Sequence, residues 1–450
     1  MLTRRTFVTA AASAALAAPE ERKRPNFVVF LADDLGCHDL GCWGADDLRT
    51  PHIDALAASG ARFTNWYAAA PVCAPSRASL LTGRYPIRAG VPNNGPALRP
   101  SERTIASLLQ PAGYATALIG KWHLGDTAET VPNAHGFERF FGFHAGCIDY
   151  YSHRYYWGEP RTVNYHDLWS DRTEVFEDGQ YSTELFAREA VRFLRERGGR
   201  PFFLYLPFNA PHYPMHAPAR YLERFPKLAR ERRTYAAMLA ALDDTVGQVM
   251  GALRELRLLD DTLVFFTGDN GATREARAGL DQKPATAGNN APFRGNKFSA
   301  FDGGMHVPMI MNWPGVIPKG RVLHEMGSHL DLLPTIAKAA GIALPGDRTI
   351  DGFDALPMAA EQAKSRHEAI FWSSGGQLAV RRGPWKLVKN GKTFDGTPAG
   401  NQPLTGDDAL FLSNVEEDPG ESRNLRHRDP AIADELETAA EAWLRRVGEP

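Results

Sequence analysis

Cysteine is scarce in this chain: four occur among 450 residues, at positions 37, 42, 73 and 147. That excludes a dense disulfide framework, so stability must come from a buried core. An excess of charge of one sign is also lacking, since 51 basic residues face 53 acidic ones and leave a net charge of -2. No whole-chain attraction to nucleic acid or to an acidic membrane surface follows, although a local basic pocket stays open. The small, apolar stretch near the start, residues 8–18, is too short to cross a bilayer.

What is present is the composition of a soluble globular protein, 43% hydrophobic and 23% charged. At this length one large domain with a smaller companion is expected. Thr3, Arg4, Arg5, Thr6 and Phe7 precede the apolar stretch, and together they read as an export signal. The paired arginines with Phe7 point to the twin-arginine route and hence to a bacterial chain exported already folded. Cleavage is expected near Ala17 or Ala18, with 20–24 as a solvated linker. Cys37 and Cys42 lie close enough in sequence to bridge, and free thiols are equally compatible with the spacing.

Several apolar runs of strand length end in chemistry-bearing residues. Run 26–31 ends in Ala32, Asp33 and Asp34, and run 262–267 ends in Gly268, Asp269 and Asn270. Run 115–119 leads to Lys121 and His123, which on an extended segment share a face. Run 201–208 is followed by Asn209, Ala210, Pro211 and His212, a histidine placed for proton transfer. Buried parallel strands deliver their chemistry at C-terminal ends. Adjacent carboxylates repel unless a cation or strong donors hold them, which makes a divalent metal the natural partner, although Asp-Asp after a strand also serves as a plain helix cap. Asp269 and Asn270 complete with Asp33 and Asp34 an all-oxygen set suited to calcium or magnesium. No histidine cluster recommends zinc.

Helical spacing is expected over 50–63, 103–112, 180–196, 235–256, 331–341 and 431–447, and a further strand over 307–313. Asp243 and Asp244 fall on the polar face of their helix or in packing, without a catalytic role. Segments 135–142 and 150–157 are loop-like and ring-rich, suiting a sugar-binding rim or a packed irregular region. Segment 272–292 is polar and reads as an active-site rim. Beyond 345, short runs at 369–372, 378–382, 385–388 and 410–414 read as antiparallel strands.

The stretch Cys73, Ala74, Pro75, Ser76, Arg77, continuing to Leu80, Leu81, Thr82, Gly83 and Arg84, sets a thiol at a helix start beside a capping hydroxyl and a guanidinium. A lone cysteine there is more often structural. The pattern as a whole, however, resembles the signature of the formylglycine-dependent type I sulfatases, the arylsulfatases and N-acetylgalactosamine sulfatases among them. Gly120, Lys121, Trp122, His123, Leu124 and Gly125 resemble the second signature of that family. Arg294, Gly295, Asn296 and Lys297 are similar to its Arg-Gly-x-Lys block, and Asp149 to His153 resemble arylsulfatase B-like enzymes. In the element from Asp302 to Pro308 the chain departs from Glu-Gly-Gly-x-Arg-Val-Pro: Asp302 replaces glutamate and His306 replaces arginine. These departures open the local ion pairing and the pH response near His306.

The resemblance covers most of residues 25–425. It implies an α/β fold, an alkaline phosphatase-like large mixed sheet flanked by helices, with a small C-terminal antiparallel-sheet subdomain. The divisions are an export signal at 1–18, a catalytic domain at 25–345 and an α+β subdomain at 346–450. It implies a formylglycine at position 73, made by a formylglycine-generating or sulfatase-maturating enzyme, whose hydrate attacks sulfur. Arg77 and Lys121 would orient the hydrate and His123 would take its proton. His212 and Lys297 would grip sulfate, one of them protonating the leaving oxygen. Asp33, Asp34, Asp269 and Asn270, with the modified Cys73, would hold calcium in preference to magnesium. The implied substrate is a sulfated sugar or polysaccharide, and the implied address is the periplasm or the exterior, with no transmembrane segment in the mature chain and no nucleic-acid partner. A phosphonate monoester or phosphodiester hydrolase on the same scaffold is the alternative, as is a sulfated-glycan binding protein whose Cys73 is never converted.

Overall fold

Alternation along a single strand explains the layers. In the computed structural model, which describes residues 24–155, 164–276 and 283–448, strand β1 (Asn26–Ala32) is buried at every position. Phe27, Val29 and Leu31 enter one core, and Val28, Phe30 and Ala32 enter another on the opposite face. A strand apolar on both faces belongs in the middle of a covered sheet.

The strands that follow are β2 (Ala61–Phe63), β3 (Trp66–Tyr67), β4 (Ala115–Lys121), β5 (Arg139–Phe143), β6 (Trp169–Ser170), β7 (Thr173–Glu174), β8 (Phe202–Pro207), β9 (Thr262–Gly268), β10 (Met309–Asn312), β11 (Arg321–Leu323) and β12 (Gly327–Ser328). Nine of them join β1 in one ten-stranded sheet, in the order β11-β2-β10-β9-β1-β8-β4-β5-β6-β7. The run β9-β1-β8-β4-β5 is parallel. β10 and β6 flank it antiparallel, so the sheet is mixed. Helices α1 (Pro51–Ala58), α2 (Cys73–Thr82), α3 (Ser182–Glu196), α4 (Arg230–Glu255), α5 (Leu332–Ala339) and α6 (Pro430–Gly448) complete the frame. Leu56, Phe186 and Leu242 from α1, α3 and α4 cover one face, and Leu80, Leu81 and Leu333 from α2 and α5 cover the other. Past them, β13 (Ile370–Ser374), β14 (Gln377–Arg382), β15 (Trp385–Lys389) and β16 (Leu410–Asn414) make an antiparallel meander. Helix α6 packs on it through Leu436 and Trp443 against Val380, Leu387 and Leu412.

Some expectations are corrected. The helix expected over 50–63 stops at Ala58, and Ala61–Phe63 is strand β2 instead. Gly60 makes the break: a Cβ there would lie 2.4 Å from Met311 O, so the chain passes too close to β10 for a side chain. Segment 103–112 is a short helix, Ile105–Leu109, followed by a 3-10 turn at Pro111. Segment 135–142 is not a loop throughout, since Arg139–Phe143 joins the sheet beside β4. Asp243 packs inward and accepts from the backbone N–H groups of His52 and Ile53, capping α1 from a distance. Cys37 and Cys42 are unpaired thiols. The leader at 1–18 lies outside the described residues, as does part of each ring-rich or polar rim segment, 150–157 and 272–292.

Of the two departures near 302, Asp302 finds a partner in the C-terminal sheet and His306 packs elsewhere. Asp302 accepts from Lys386 Nζ of β15 at 2.5 Å and from Tyr67 OH at 2.9 Å, while its N–H donates to Glu421 Oε2 at 2.7 Å. All four are buried. His306 stands between Phe293 and Tyr67, with Cys37 Sγ 3.5 Å from its Nδ1. Burial drives its pKa down to about 4, so it stays neutral across the physiological range and the pH response expected there does not arise near neutrality.

That shift sets a stability profile. The unfolded chain protonates this histidine near 6.5 and the folded chain only near 4, so between these values the unfolded state binds more protons and His306 weakens the fold as pH falls. Glu421, pushed by burial up to about 7, acts in the opposite sense. The difference between wild type and His306→Asn isolates the histidine. Urea denaturation at pH 6.5 and pH 4.5 should show the wild type losing about 2 kcal/mol more than the variant.

Candidate active site

Strand register assembles the acidic residues. β1 and β9 run parallel with Ala32 opposite Gly268, so the two chains leave the sheet in step and Asp33 and Asp34 emerge beside Asp269 and Asn270. β8 pairs with β1 as far as Pro207 opposite Leu31 and then carries Asn209 to His212 to the same edge. β4 ends on Lys121 itself. The approach of β4 to β8 is close: a Cβ on Gly120 would lie 1.9 Å from Pro207 O, and Gly120 holds φ +129°. Helix α2 begins at Cys73 above these strand ends, after an extended Val72.

Opposite charges interlock there. Lys121 Nζ lies 2.7 Å from Asp33 Oδ2. Arg77 donates from Nε and Nη2 to Asp269 Oδ2 at 3.1 and 2.7 Å, and its Nη2 is 3.5 Å from Asp33 Oδ1. Lys297 Nζ sits 3.0 Å from Asp34 Oδ2, 3.3 Å from His212 Nε2 and 3.2 Å from Glu275 Oε2. Cys73 Sγ is 3.5 Å from Asp33 Oδ1. Donor atoms of Asp33, Asp34, Cys73 and His212 all lie within 4.8 Å of one another.

Burial dominates the protonation of this cluster. It pushes the Cys73 thiol well above its ordinary value, so the sulfur stays protonated despite Lys121 and Lys297 nearby. It lifts Asp34 to about 7, against the pull of Lys297. On Asp33 burial is outweighed by Lys121 and Arg77, and the carboxyl stays below its usual range. His123 and His212 are both driven well down, first by burial and then by Lys121 and Lys297 respectively. His212 Nδ1 lies 2.7 Å from Tyr213 O; assigning the ring proton to that contact leaves the Nε2 lone pair facing Lys297.

The Sulfatase family model matches residues 25–342. The chain belongs to the sulfatase family. N-acetylgalactosamine-6-sulfatase of Sus scrofa is 37% identical over 386 residues, spanning 80% of this chain and 71% of that protein. Arylsulfatase A of Bos taurus is 35% identical over 470 residues, spanning 95% and 88%. The crystal structure of Ps i-CgsB in complex with k-i-k-neocarrahexaose superposes with a TM-score of 0.82 at 32% identity, covering 94% of this chain and 93% of that one. The protein is a sulfuric ester hydrolase with the alkaline phosphatase-like fold.

A hard cation fits the donors of this sulfatase. Asn270 Nδ2 donates to Asp34 Oδ1 at 2.7 Å, which leaves its Oδ1 buried without a partner. An end-for-end turn of the amide offers that oxygen to the carboxylates' side. Asp34 itself holds φ +60°, in the left-handed region that aspartate enters more readily than most side chains. Asp33, Asp34, Cys73 and His212 converge directly. Asp269 is turned away to Arg77 and to the Asp34 N–H, 3.1 Å from its Oδ1.

The local paths to several residues differ from expectation. His123 does not share an extended face with Lys121, because β4 ends and His123 takes φ +59°; its Nδ1 is buried without a partner. Ser76 caps nothing; its Oγ donates to Asp269 O at 2.6 Å and lies 3.1 Å from His329 Nδ1. His329, held neutral by burial with its pKa down to about 3, reaches Thr267 Oγ1 with its other nitrogen. Tyr150, from the ring-rich segment, lies wholly in the core and donates to Asn209 O and His212 O at 2.6 and 2.8 Å. His329 and Glu275 escape a reading of the sequence because a single ring or carboxylate carries no spacing, while Ser76 reads there only as a cap and Tyr150 only as part of a ring-rich segment.

A bound cation stabilises the folded state alone, by roughly 2.7 kcal/mol at one hundred times its dissociation constant. Thermal denaturation with calcium against EDTA should therefore raise the wild-type midpoint, and Asp33→Asn or Asp34→Asn should remove most of that increment.

Proposed function

We propose that this sulfatase hydrolyses sulfate monoesters on a sulfated sugar or polysaccharide, using a formylglycine derived from Cys73 and a calcium ion. The observation that carries the reading is the setting of Cys73: buried at the first residue of α2, 3.5 Å from Asp33, among three cationic side chains, and held as a thiol. A protonated thiol is a poor nucleophile. Converted to formylglycine and hydrated, position 73 supplies one hydroxyl to attack sulfur and a second whose deprotonation expels sulfate.

The charges support an anionic substrate. Arg77, Lys121 and Lys297 face Asp33, Asp34, Asp269 and Glu275 without a cationic excess. A divalent cation, which Asp33, Asp34 and Asn270 would hold and which Asp269 would join only by giving up Arg77, would supply the net positive charge that a sulfate needs. Arg77 and Lys121 fix the carboxylates beside position 73 and would orient the hydrate there. His123, neutral and with an unpartnered Nδ1, takes the proton from the nucleophile side. Burial opposes the charge on Lys297, but Asp34 and Glu275 outweigh it and keep the ammonium protonated well above the usual range. Lys297 therefore grips a sulfate oxygen, and its ammonium, beside His212 Nε2, gives a proton directly to the leaving alcohol oxygen.

The sugar substrate is supported by the N-acetylgalactosamine-6-sulfatase relatives and by the hexaose bound to Ps i-CgsB. Maturation by a formylglycine-generating or sulfatase-maturating enzyme, twin-arginine export and a periplasmic or secreted address rest on the Cys73 stretch and the Arg4, Arg5, Phe7 leader. No helix among the described residues is long and apolar enough to cross a membrane.

Peptide mass spectrometry of exported protein should find an aldehyde at position 73. Cys73→Ser and Cys73→Ala should each lower multiple-turnover hydrolysis of an aryl sulfate by roughly 10³-fold or more. Full turnover by Cys73→Ser would sink the mechanism, and a higher kcat/KM on an aryl phosphodiester than on an aryl sulfate would sink the substrate class.

A further inference from the structure

Outward from Lys297 opens a cavity of about 400 Å³, lined by Arg274, Glu275, Lys297, Phe298, Phe394 and Asn401. Its size lies within the roughly 300–1,000 Å³ of small-molecule sites. One wall comes from the chain that carries Lys297 and the other from the loop that follows β15, so the C-terminal sheet contributes directly to the space beside the sulfate grip.

The two aromatic residues hold unusual backbone. Phe298 has φ +75° and Phe394 has φ +46°, a region that bulky side chains rarely enter. Each is locked. Phe298 N–H donates to Pro71 O at 2.6 Å and its carbonyl accepts from Gln377 Nε2 at 2.7 Å, while Phe394 N–H donates to Gly400 O at 2.9 Å. The outcome is a pair of tilted rings 5.5 Å apart, both part-exposed, with Lys297 Nζ 5.5 Å from the Phe298 ring. Aromatic faces displayed in this way suit the apolar C–H face of a pyranose.

Two cations stand at the edge of this shelf. Arg274 Nη1 donates to Ala285 O at 3.1 Å, and Lys392 Nζ donates to Gly375 O at 3.3 Å while lying 5.9 Å from the Phe394 ring. Carbonyl anchors orient these groups without neutralising them. A guanidinium fork held across a cavity matches an oxyanion in two parallel hydrogen bonds.

We propose that this cavity is a subsite for the sugar part of the substrate, in which Phe394 stacks on a pyranose ring and Arg274 binds a second oxyanion on that sugar or its neighbour. The inference rests on the sulfated-sugar reading above and narrows it to saccharides with at least two anionic groups.

The test compares wild type, Arg274→Gln, Phe394→Ala and Phe394→Tyr on four probes. These are 4-nitrophenyl sulfate, N-acetylgalactosamine 6-sulfate, that sugar linked to a uronate, and that sugar linked to a second sulfated sugar. Each saccharide is read both by hydrolysis and by competition against 4-nitrophenyl sulfate, so binding registers without turnover. Arg274→Gln should raise the KM or inhibition constant of a doubly anionic disaccharide on the order of tenfold, with a smaller change in kcat. The uronate and the second sulfate, tested separately, identify which oxyanion is read. Phe394→Ala should weaken every saccharide, and Phe394→Tyr should restore binding. In each case the change should exceed that on 4-nitrophenyl sulfate by about fivefold or more.

Equal changes on all four probes, or changes within about twofold on the doubly anionic disaccharides, would overturn the subsite. Wild type that cleaves 4-nitrophenyl sulfate yet neither cleaves nor is inhibited by those disaccharides also overturns it, while the hydrolase reading stands. Wild type carrying the aldehyde and cleaving no sulfate ester overturns both.

Discussion

Three carboxylates buried at adjoining strand ends, Asp33, Asp34 and Asp269, set the terms for the rest of this molecule. A buried charge without a partner costs several kcal/mol, and removing one member of a buried pair is correspondingly severe. Each carboxylate is therefore met from a different part of the chain: Asp269 by Arg77 of α2, Asp33 by Lys121 at the end of β4, and Asp34 by Lys297. The central sheet, the helix that starts at Cys73 and the segment before residue 302 are held in one arrangement by that requirement. The compensation is incomplete at Asp34, which burial lifts to about 7. Incomplete compensation is what a binding site for further charge needs.

The same demand reaches into the C-terminal sheet. Lys297 is positioned by neighbours that β14 and the loop after β15 hold: Gln377 Nε2 donates to Phe298 O, Ala300 N–H donates to Gln377 Oε1, and Ser299 Oγ donates to Lys392 O. A few residues on, Asp302 meets Lys386 and Glu421 in a buried network. The antiparallel sheet is thus a support for the segment that carries Lys297 as well as a closed fold of its own. The departure at 302 is accommodated there, by a carboxylate that reaches Lys386, and the one at 306 by an imidazole that stays neutral between Phe293 and Tyr67.

Much of this was legible in residue order. Continuous apolar runs marked β1, β4, β8 and β9, and the residues just beyond them marked the site, because buried parallel strands expose chemistry only at their ends. Spacing around Cys73, Lys121 and Lys297 carried the family. What residue order misjudged was local geometry governed by close packing: Ala61–Phe63 leaves the helical pattern because Gly60 passes against β10, and His123 leaves the extended pattern because its backbone turns left-handed after β4.

By itself, then, the sequence determined which residue types stand at which strand ends, and so the family and the acidic, cationic and thiol members of the site. Only the tertiary structure decided who meets whom. Parallel register set Asp33 beside Asp269. Distant segments brought Ser76, His329, Tyr150 and Glu275 into support, and the loop after β15 brought Phe394 beside Lys297's cavity. The physical reason is that side-chain identity is local, whereas burial, pairing and protonation depend on which distant surfaces exclude water together.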